Sequence, residues 1–286
     1  MIFLSAFADE AGASLDEQIN ALKKNQISYI EIRSIDDVNV LDFSLEKARE
    51  YAKTLFDNGI FVYSIGSPIG KVDIDCDFDE YLVKFNHILD LCDVFSCKKI
   101  RMFSFFNSLE KPEKVVDRLK VLVKIATERG ILLCHENEKG IFGDTIERVK
   151  YLMDNVNGLG FVYDPANYLQ VGEKAEDTLR EFFDKTVYFH IKDVIAETEE
   201  IVPAGYGDGQ IEKIISLISK DTICTLEPHL KEFGGYKDID DTVLKNKFTF
   251  NSNAESFDFA VKSMEKILEN QGYKKTTRNG VFGWQK

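Results

Sequence analysis

The sequence has no apolar run close to the about 20 residues that a membrane-spanning helix requires. Its first ten residues, MIFLSAFADE, contain no basic residue and end in two acidic ones, which is not typical of a signal peptide. The five cysteines include no CxxC pair, so reduced thiols are the simplest interpretation. Together these absences favour a cytoplasmic protein.

Positive charge is also scarce, because 36 Lys and Arg residues stand against 49 Asp and Glu residues. The resulting net charge of −13 repels nucleic acid and anionic membranes, so we expect neither as a partner. Hydrophobic residues make up 44% of the chain, which is typical of a globular protein with a buried core. A chain of 286 residues needs no disulfide to stabilise such a core.

The sequence does contain a regular alternation of short β-rich runs with helical patterns. Strands separated by helices predict a parallel sheet. Eight repeats predict a closed (β/α)8 TIM barrel, an α/β fold, rather than a doubly wound sheet, which usually stops at about five or six strands. The predicted strands are Ile2–Ala8, Tyr29–Arg33, Phe61–Ile65, Lys99–Phe103, Ile131–Glu136, Leu159–Asp164, Val187–Lys192 and Thr222–Glu227.

No break in composition divides the chain, so we predict a single barrel domain over residues 1–286. The tail, about residues 272–286, either packs Phe282 and Trp284 on the barrel wall or frays. The long polar loop at Lys231–Asn253 is typical of segments that line or cover a site. The glycine-rich segment Gly205–Gly209 matches neither a phosphate loop nor a dinucleotide site, and we interpret it as a turn that brings backbone close to a substrate.

In such a barrel the active site lies where the strands end. The last four predicted strands each deliver a carboxylate or an imidazole at that end, namely Glu136, Asp164, His190 and Glu227. Each residue alone is more typical of a solvated loop, a turn or a core histidine, but their joint order favours a site. The set suits one divalent ion (Mn²⁺, Mg²⁺, Co²⁺ or Zn²⁺) and does not suit copper or an iron–sulfur cluster. Without a cation, the three carboxylates would repel one another and take up protons.

Five segments carry a resemblance to a known family: HENEKG (His135–Gly140), FVYDPAN (Phe161–Asn167), FHIKD (Phe189–Asp193), PAGYGDGQI (Pro203–Ile211) and LEPH (Leu226–His229). Here the sequence resembles the xylose isomerase-like TIM barrel superfamily of sugar phosphate isomerases and epimerases, which includes ketose 3-epimerases and inosose dehydratases. The resemblance covers nearly the whole chain. It implies metal ligands at Glu136, Asp164, His190 and Glu227, and substrate-binding residues near Lys192, Asp193 and His229. Several members have a histidine, expected to contact substrate, where this chain has Asn167.

The resemblance and the site together predict a metal-dependent isomerase or epimerase that acts on a sugar or sugar phosphate. Glu136 and Glu227 are the predicted catalytic residues, which transfer a proton through an enediolate that the metal stabilises. Transfer between the two faces of one carbon gives epimerisation, and transfer between neighbouring carbons gives isomerisation. Further predicted substrate-binding residues are Asn167, Glu138, Ser67 and Arg101. The oligomeric state stays open, with a homo-oligomer among the alternatives.

Other functions compete with this prediction. A dehydratase acting on a polyol or keto-inositol would use the same chemistry with loss of a leaving group. A sugar-binding barrel without activity would need no stoichiometric metal. A phosphodiester hydrolase like endonuclease IV shares the barrel, but it needs three zinc ions and many histidines, whereas this chain has four histidines and a net charge of −13. The hydrolase is therefore a poor fit.

Several other polar residues have two interpretations. Lys192 either stabilises charge on a substrate oxygen or lies on the surface at the barrel mouth. Glu31 and Arg33 either form an ion pair with each other or touch the substrate. The remaining expectations are that Asp9 and Glu10 pin the first loop, that Ser104 lines the pocket, and that His87, Cys134 and Cys224 are structural.

Overall fold

A computed structural model describes residues 1–234, 244–245 and 248–286. Its ladders join eight parallel strands in the order β1-β8-β7-β6-β5-β4-β3-β2, and β1 also contacts β2, which closes the barrel. The predicted (β/α)8 fold is confirmed, and each predicted strand overlaps an observed one. The strands are β1 (Ile2–Ala6), β2 (Tyr29–Ile32), β3 (Phe61–Gly66), β4 (Lys99–Met102), β5 (Leu132–Glu136), β6 (Gly160–Tyr163), β7 (Tyr188–Ile191) and β8 (Thr222–Leu226).

The helices between the strands bury one face against the barrel. Many begin at a polar residue that caps their first turn, as Ser14 does by forming a capping box with Glu17. None of the helices in the described part of the chain is long and apolar enough to cross a membrane. The helices are α1 (Leu15–Lys24), α2 (Leu45–Asp57), α3 (Phe78–Val94), α4 (Pro112–Glu128), α5 (Ile146–Asn155), α6 (Pro165–Gln170), α7 (Ala175–Phe182), α8 (Ile211–Leu217) and α9 (Asn253–Asn270).

One connecting segment differs from what its sequence suggests, and another is described only in part. Asp164 and Pro165, which taken alone are typical of a turn, start the short helix α6, because the Asp164 carboxylate accepts the backbone N–H groups of Ala166 and Asn167. Six residues are too few for a helical period to be visible in the sequence. The loop predicted at Lys231–Asn253 lies in large part outside the described residues.

The C-terminal tail forms a hairpin of two antiparallel strands, β9 (Lys274–Arg278) and β10 (Val281–Gln285), which the sequence analysis did not predict. Strand β10 extends the barrel sheet next to β1, with Trp284 opposite Ile2. The N–H of Phe282 donates a hydrogen bond to the Ser28 hydroxyl at 3.1 Å. Trp284 is 3% exposed and joins the main core, so the tail packs rather than frays.

We expect Trp284→Ala to lower the free energy of unfolding by about 3–5 kcal/mol, since it removes a large buried aromatic side chain. Urea denaturation followed by circular dichroism measures this, because the variant no longer contains a tryptophan. Gln285→Ala, on the same strand but exposed, is the control and should change the value by less than about 0.5 kcal/mol. A loss below about 1 kcal/mol for Trp284→Ala would mean that the hairpin is not part of the cooperative core.

Candidate active site

The four predicted metal-binding residues meet at the C-terminal ends of β5 to β8. Glu136 is the last residue of β5, Asp164 follows β6, His190 lies in β7, and Glu227 follows β8. Each side chain is buried, and one potential ligand atom from each lies within 4.8 Å of the others. The barrel therefore brings together residues that are up to 91 positions apart in the sequence (136 to 227).

The contacts within this group leave oxygen atoms available for a cation. His190 Nδ1 is 2.8 Å from Glu136 Oε1 and 3.1 Å from Glu227 Oε2. Asp164 Oδ2 is 2.8 Å from Lys192 Nζ, yet Asp164 Oδ2 and Glu227 Oε2 are both buried without a hydrogen bond of good geometry. Buried carboxylate oxygens normally find hydrogen-bond partners or a metal. This donor set fits a divalent ion.

Burial and neighbouring charges shift the pKa values of three of these groups. Burial raises the pKa of the Asp164 carboxyl to about 6, although the Lys192 ammonium acts in the opposite direction. Burial also acts to raise the pKa of Glu227, but the Lys192 ammonium and close contacts with the His190 and His229 rings hold it well below its usual range. Burial acts to lower the pKa of His190, but the carboxylates of Glu136 and Glu31 outweigh it and raise that pKa. An ion that binds through His190 would therefore displace a proton.

Glu31 lies beneath His190, on its side away from Glu136. Its Oε2 is 3.2 Å from His190 Nε2, and its Oε1 accepts a hydrogen bond from the Tyr188 hydroxyl at 2.9 Å. Neither interpretation offered for Glu31 includes this contact. Glu31 lies in β2 and Arg33 directly follows that strand, two positions further on, which is about 6.6 Å along an extended chain. Glu31 therefore reaches the histidine, while Arg33 binds Asp9, Glu10 and Glu227 instead.

If His190 binds a metal ion, as predicted, Glu31 would orient its ring, as carboxylates behind metal-bound histidines commonly do. We expect Glu31→Gln to weaken the binding of Mn²⁺ by about 10–100-fold. Calorimetric titration of metal-free protein measures the affinity. Glu46→Gln, an exposed substitution in the first turn of α2, should leave it unchanged. Equal affinities for the two variants would show that Glu31 does not orient His190.

A pocket opens in front of Glu136 and Glu227. Of the predicted substrate-binding residues, it is lined by Ser67, Arg101 and Glu138, together with Arg33, Lys71 and Phe103. Arg101 Nη1 donates a hydrogen bond to the Ser67 carbonyl at 3.1 Å, and Arg101 Nε is 3.2 Å from Glu136 Oε2. In the pocket, the predicted catalytic carboxylate of Glu136 is thus paired with a buried guanidinium.

The other predicted substrate-binding residues, all of which the structure describes, are not among the residues that line this pocket. Lys192 is 5% exposed and contacts Asp164, so the interpretation as a surface lysine is wrong. The Asn167 side chain donates to the Asn137 carbonyl at 2.9 Å, and the Asn137 amide in turn bonds the backbone of Asp164. Asn137 was missed, although its place between Glu136 and Glu138 in HENEKG was a signal.

The backbone N–H of His229 donates to Glu10 Oε2 at 2.7 Å.

Asp193 holds the glycine-rich turn. Its carboxylate accepts N–H groups from Gly205, Gly207 and Gly209 at 2.9–3.1 Å, and from Val194 at 3.0 Å. A Cβ atom on Gly207 would lie 2.4 Å from Asp193 Oδ1, so only glycine allows this approach. The predicted turn is present, and its hydrogen bonds occupy the Asp193 carboxylate. A role of Asp193 in substrate binding stays a prediction.

Solved structures of similar architecture include a D-psicose 3-epimerase determined in the presence of D-fructose, with a TM-score of 0.72, 17% identity, and coverage of 94% of this chain and 99% of that one. A probable 3-DHS dehydratase, AsbF from Bacillus anthracis, gives a TM-score of 0.70, 16% identity, and coverage of 93% and 99%. An IolI protein with a bound zinc atom gives 0.70, 17%, and coverage of 94% and 98%. At these identities the likeness shows the fold alone. No curated protein matches the sequence.

A family model gives a more direct assignment. The model for the xylose isomerase-like TIM barrel matches residues 19–242, which is most of the chain. This match includes the ends of β5 to β8, where the four metal-binding candidates meet. The chain therefore belongs to the xylose isomerase-like TIM barrel family.

Proposed function

We propose that the protein is an isomerase or epimerase that transfers a proton next to the carbonyl group of a sugar or sugar phosphate, with one divalent ion as cofactor. The proposal rests on one observation above all. Glu136 and Glu227 come from different strands, both line the pocket, and both contact the same nitrogen of His190, at 2.8 and 3.1 Å. Two carboxylates thus border one position at the base of the pocket, as proton removal and return require.

Glu136, Asp164, His190 and Glu227 would hold the ion, which when bound supplies Lewis-acid stabilisation of negative charge on substrate oxygens. Glu136 or Glu227 removes the proton from the substrate carbon. Return by the other carboxylate to the opposite face gives an epimer, and delivery by the same carboxylate to the neighbouring carbon gives an isomer. Lys192, 2.8 Å from Asp164 Oδ2, offsets the repulsion among the buried carboxylates.

The pocket wall is suited to a polyhydroxylated substrate. Arg101 and Lys71 offer N–H donors, Glu138 offers an acceptor, and Lys71 Nζ is 3.3 Å from Glu138 Oε2. Lys71 Nζ and the Arg101 guanidinium each lie 4.5 Å from the centre of the Phe103 ring, which fixes both cations over an apolar surface. Fixed donors and acceptors around an aromatic ring are typical of sites that bind sugar hydroxyl groups.

A screen in deuterated water tests the proposal. Ketoses and their phosphates are incubated with the protein and Mn²⁺ or Zn²⁺, and the products are followed by nuclear magnetic resonance. We expect deuterium next to the carbonyl carbon, with formation of an epimer or an aldose. Loss of water without such products would favour a polyol or keto-inositol dehydratase. If a sugar binds but no tested compound takes up deuterium, the result would favour the inactive sugar-binding barrel.

A further inference from the structure

A second group of potential metal ligands lies beside the first, within the residues that the structure describes. Glu10, Glu227 and His229 are buried and each offers one ligand atom within 4.8 Å of the others. Glu227 belongs to both groups, so the two positions are adjacent. Two carboxylates and an imidazole are a donor set that divalent metals accept. The active site therefore has the residues for two neighbouring cations.

Arg33 already contacts all three members of this second group. Its Nη1 is 3.0 Å from Glu227 Oε1 and 3.5 Å from His229 Nε2, and its Nη2 is 3.2 Å from Glu10 Oε1. The guanidinium also forms a two-bond contact with Asp9, with Nε to Oδ2 at 2.9 Å and Nη2 to Oδ1 at 3.0 Å. Arg33 is buried, with only 5% of its surface exposed. Its N–H donors thus point at the acidic residues of the second group of potential ligands.

Two aromatic rings pack against the Arg33 guanidinium, in addition to its hydrogen bonds. Its central carbon lies 4.4 Å from the centre of the Phe7 ring and 4.6 Å from that of the Phe233 ring. Arginine does not lose its charge at any ordinary pH, and its planar donors match carboxylates. The positive charge is therefore permanent and fixed in place, unlike that of an exchangeable ion.

We infer that Arg33 is a built-in second cation, which occupies the position among Glu10, Glu227 and His229 that a second metal ion would need and so limits the centre to one ion. The inference rests on the proposed function, because it requires an ion at the first position. Arg33 acts through Glu227 and is a positioning residue: it binds Oε1 of that carboxylate, while Oε2 lies 3.1 Å from His190. Glu227 is thus shared between one fixed and one exchangeable cation.

The test is the number of Mn²⁺ ions bound per chain, measured by elemental analysis after dialysis, together with electron paramagnetic resonance. We expect about one isolated ion in the wild type and in Arg33→Lys. Arg33→Ala and Arg33→Met should bind about two, with the spectrum of a coupled pair, since Glu227 would bridge them. The Met variant keeps an apolar chain against Phe7 and Phe233, which guards against misfolding. Adding Glu10→Gln to Arg33→Met should restore about one ion.

The outcomes separate this inference from the proposed function. One ion in the wild type and still one in both folded Arg33→Ala and Arg33→Met proteins would overturn the inference alone. A coupled pair in the wild type would also overturn it. A wild type that binds no ion in excess Mn²⁺ would overturn the proposed function and the inference with it. Circular dichroism and the melting temperature establish that the variants are folded.

Discussion

His190→Ala is expected to lower the affinity for a divalent ion by more than about 100-fold, so that the purified variant contains almost no metal, against about one ion per chain in the wild type. Removing a residue that hydrogen-bonds a metal ligand already lowers the metal affinity by about 10–100-fold, and His190→Ala removes a predicted ligand itself. It also leaves the carboxylates of Glu136 and Glu227 without their shared 2.8 and 3.1 Å contacts to the imidazole. Elemental analysis of protein purified without a metal-binding tag gives the content.

His87→Ala is the matched control for this prediction. His87 lies on α3, outside the site, and its ring is hydrogen-bonded to the backbone carbonyl of Phe43 at 2.8 Å. Removal of this ring should therefore leave the metal content at the wild-type level. Glu227→Gln is expected to reduce the content as His190→Ala does. If His190→Ala retained one tightly bound ion, the cation would have to be held elsewhere, and the four-residue centre would be wrong.

Glu136→Gln is expected to slow deuterium exchange into the substrate by about 10²–10⁴-fold, the usual contribution of a general acid or base. The amide has nearly the shape of the carboxylate but cannot accept the proton. The rate is measured by nuclear magnetic resonance in deuterated water, with excess Mn²⁺ and with the result divided by the measured metal content. That correction separates loss of proton transfer from loss of the cofactor.

Glu110→Gln serves as the control here, since Glu110 is exposed and is not among the residues that line the pocket. Its rate should equal that of the wild type. A Glu136→Gln protein that holds metal and exchanges at the full rate would exclude Glu136 as the group that moves the proton. The same measurement on Glu227→Gln then decides whether one or both carboxylates take part.

The barrel and its four metal-binding candidates could be predicted because they follow from local patterns. Apolar runs separated by helical periods identify the strands, and parallel strands place their C-terminal ends at one edge. Glu136, Asp164, His190 and Glu227 each lie at or next to such an end, so their convergence needs no knowledge of side-chain packing. The strand ends differ from the predicted ones by at most two residues.

Contacts across the barrel interior could not be predicted in the same way. Glu31 and His190 are 159 positions apart, and the pattern of β2 shows only that Glu31 points inward, not how deep it lies. Arg33 meets Glu227 across the closure between β1 and β2, a geometry set by strand tilt rather than by sequence spacing. The C-terminal hairpin was missed because its first strand, Lys274–Arg278 (KKTTR), contains no apolar residue and is typical of a charged tail.

If a ligand contacts the glycine-rich turn, as the sequence analysis predicts, the hydrogen bonds from Gly205, Gly207 and Gly209 to Asp193 have a consequence for its affinity. Glycine-rich segments lose more backbone freedom on ordering than any other, and in a free loop that entropy would be lost when a ligand binds. Here one carboxylate orders the turn during folding. A ligand that meets the turn finds it already rigid, so more of its interaction energy appears as binding strength.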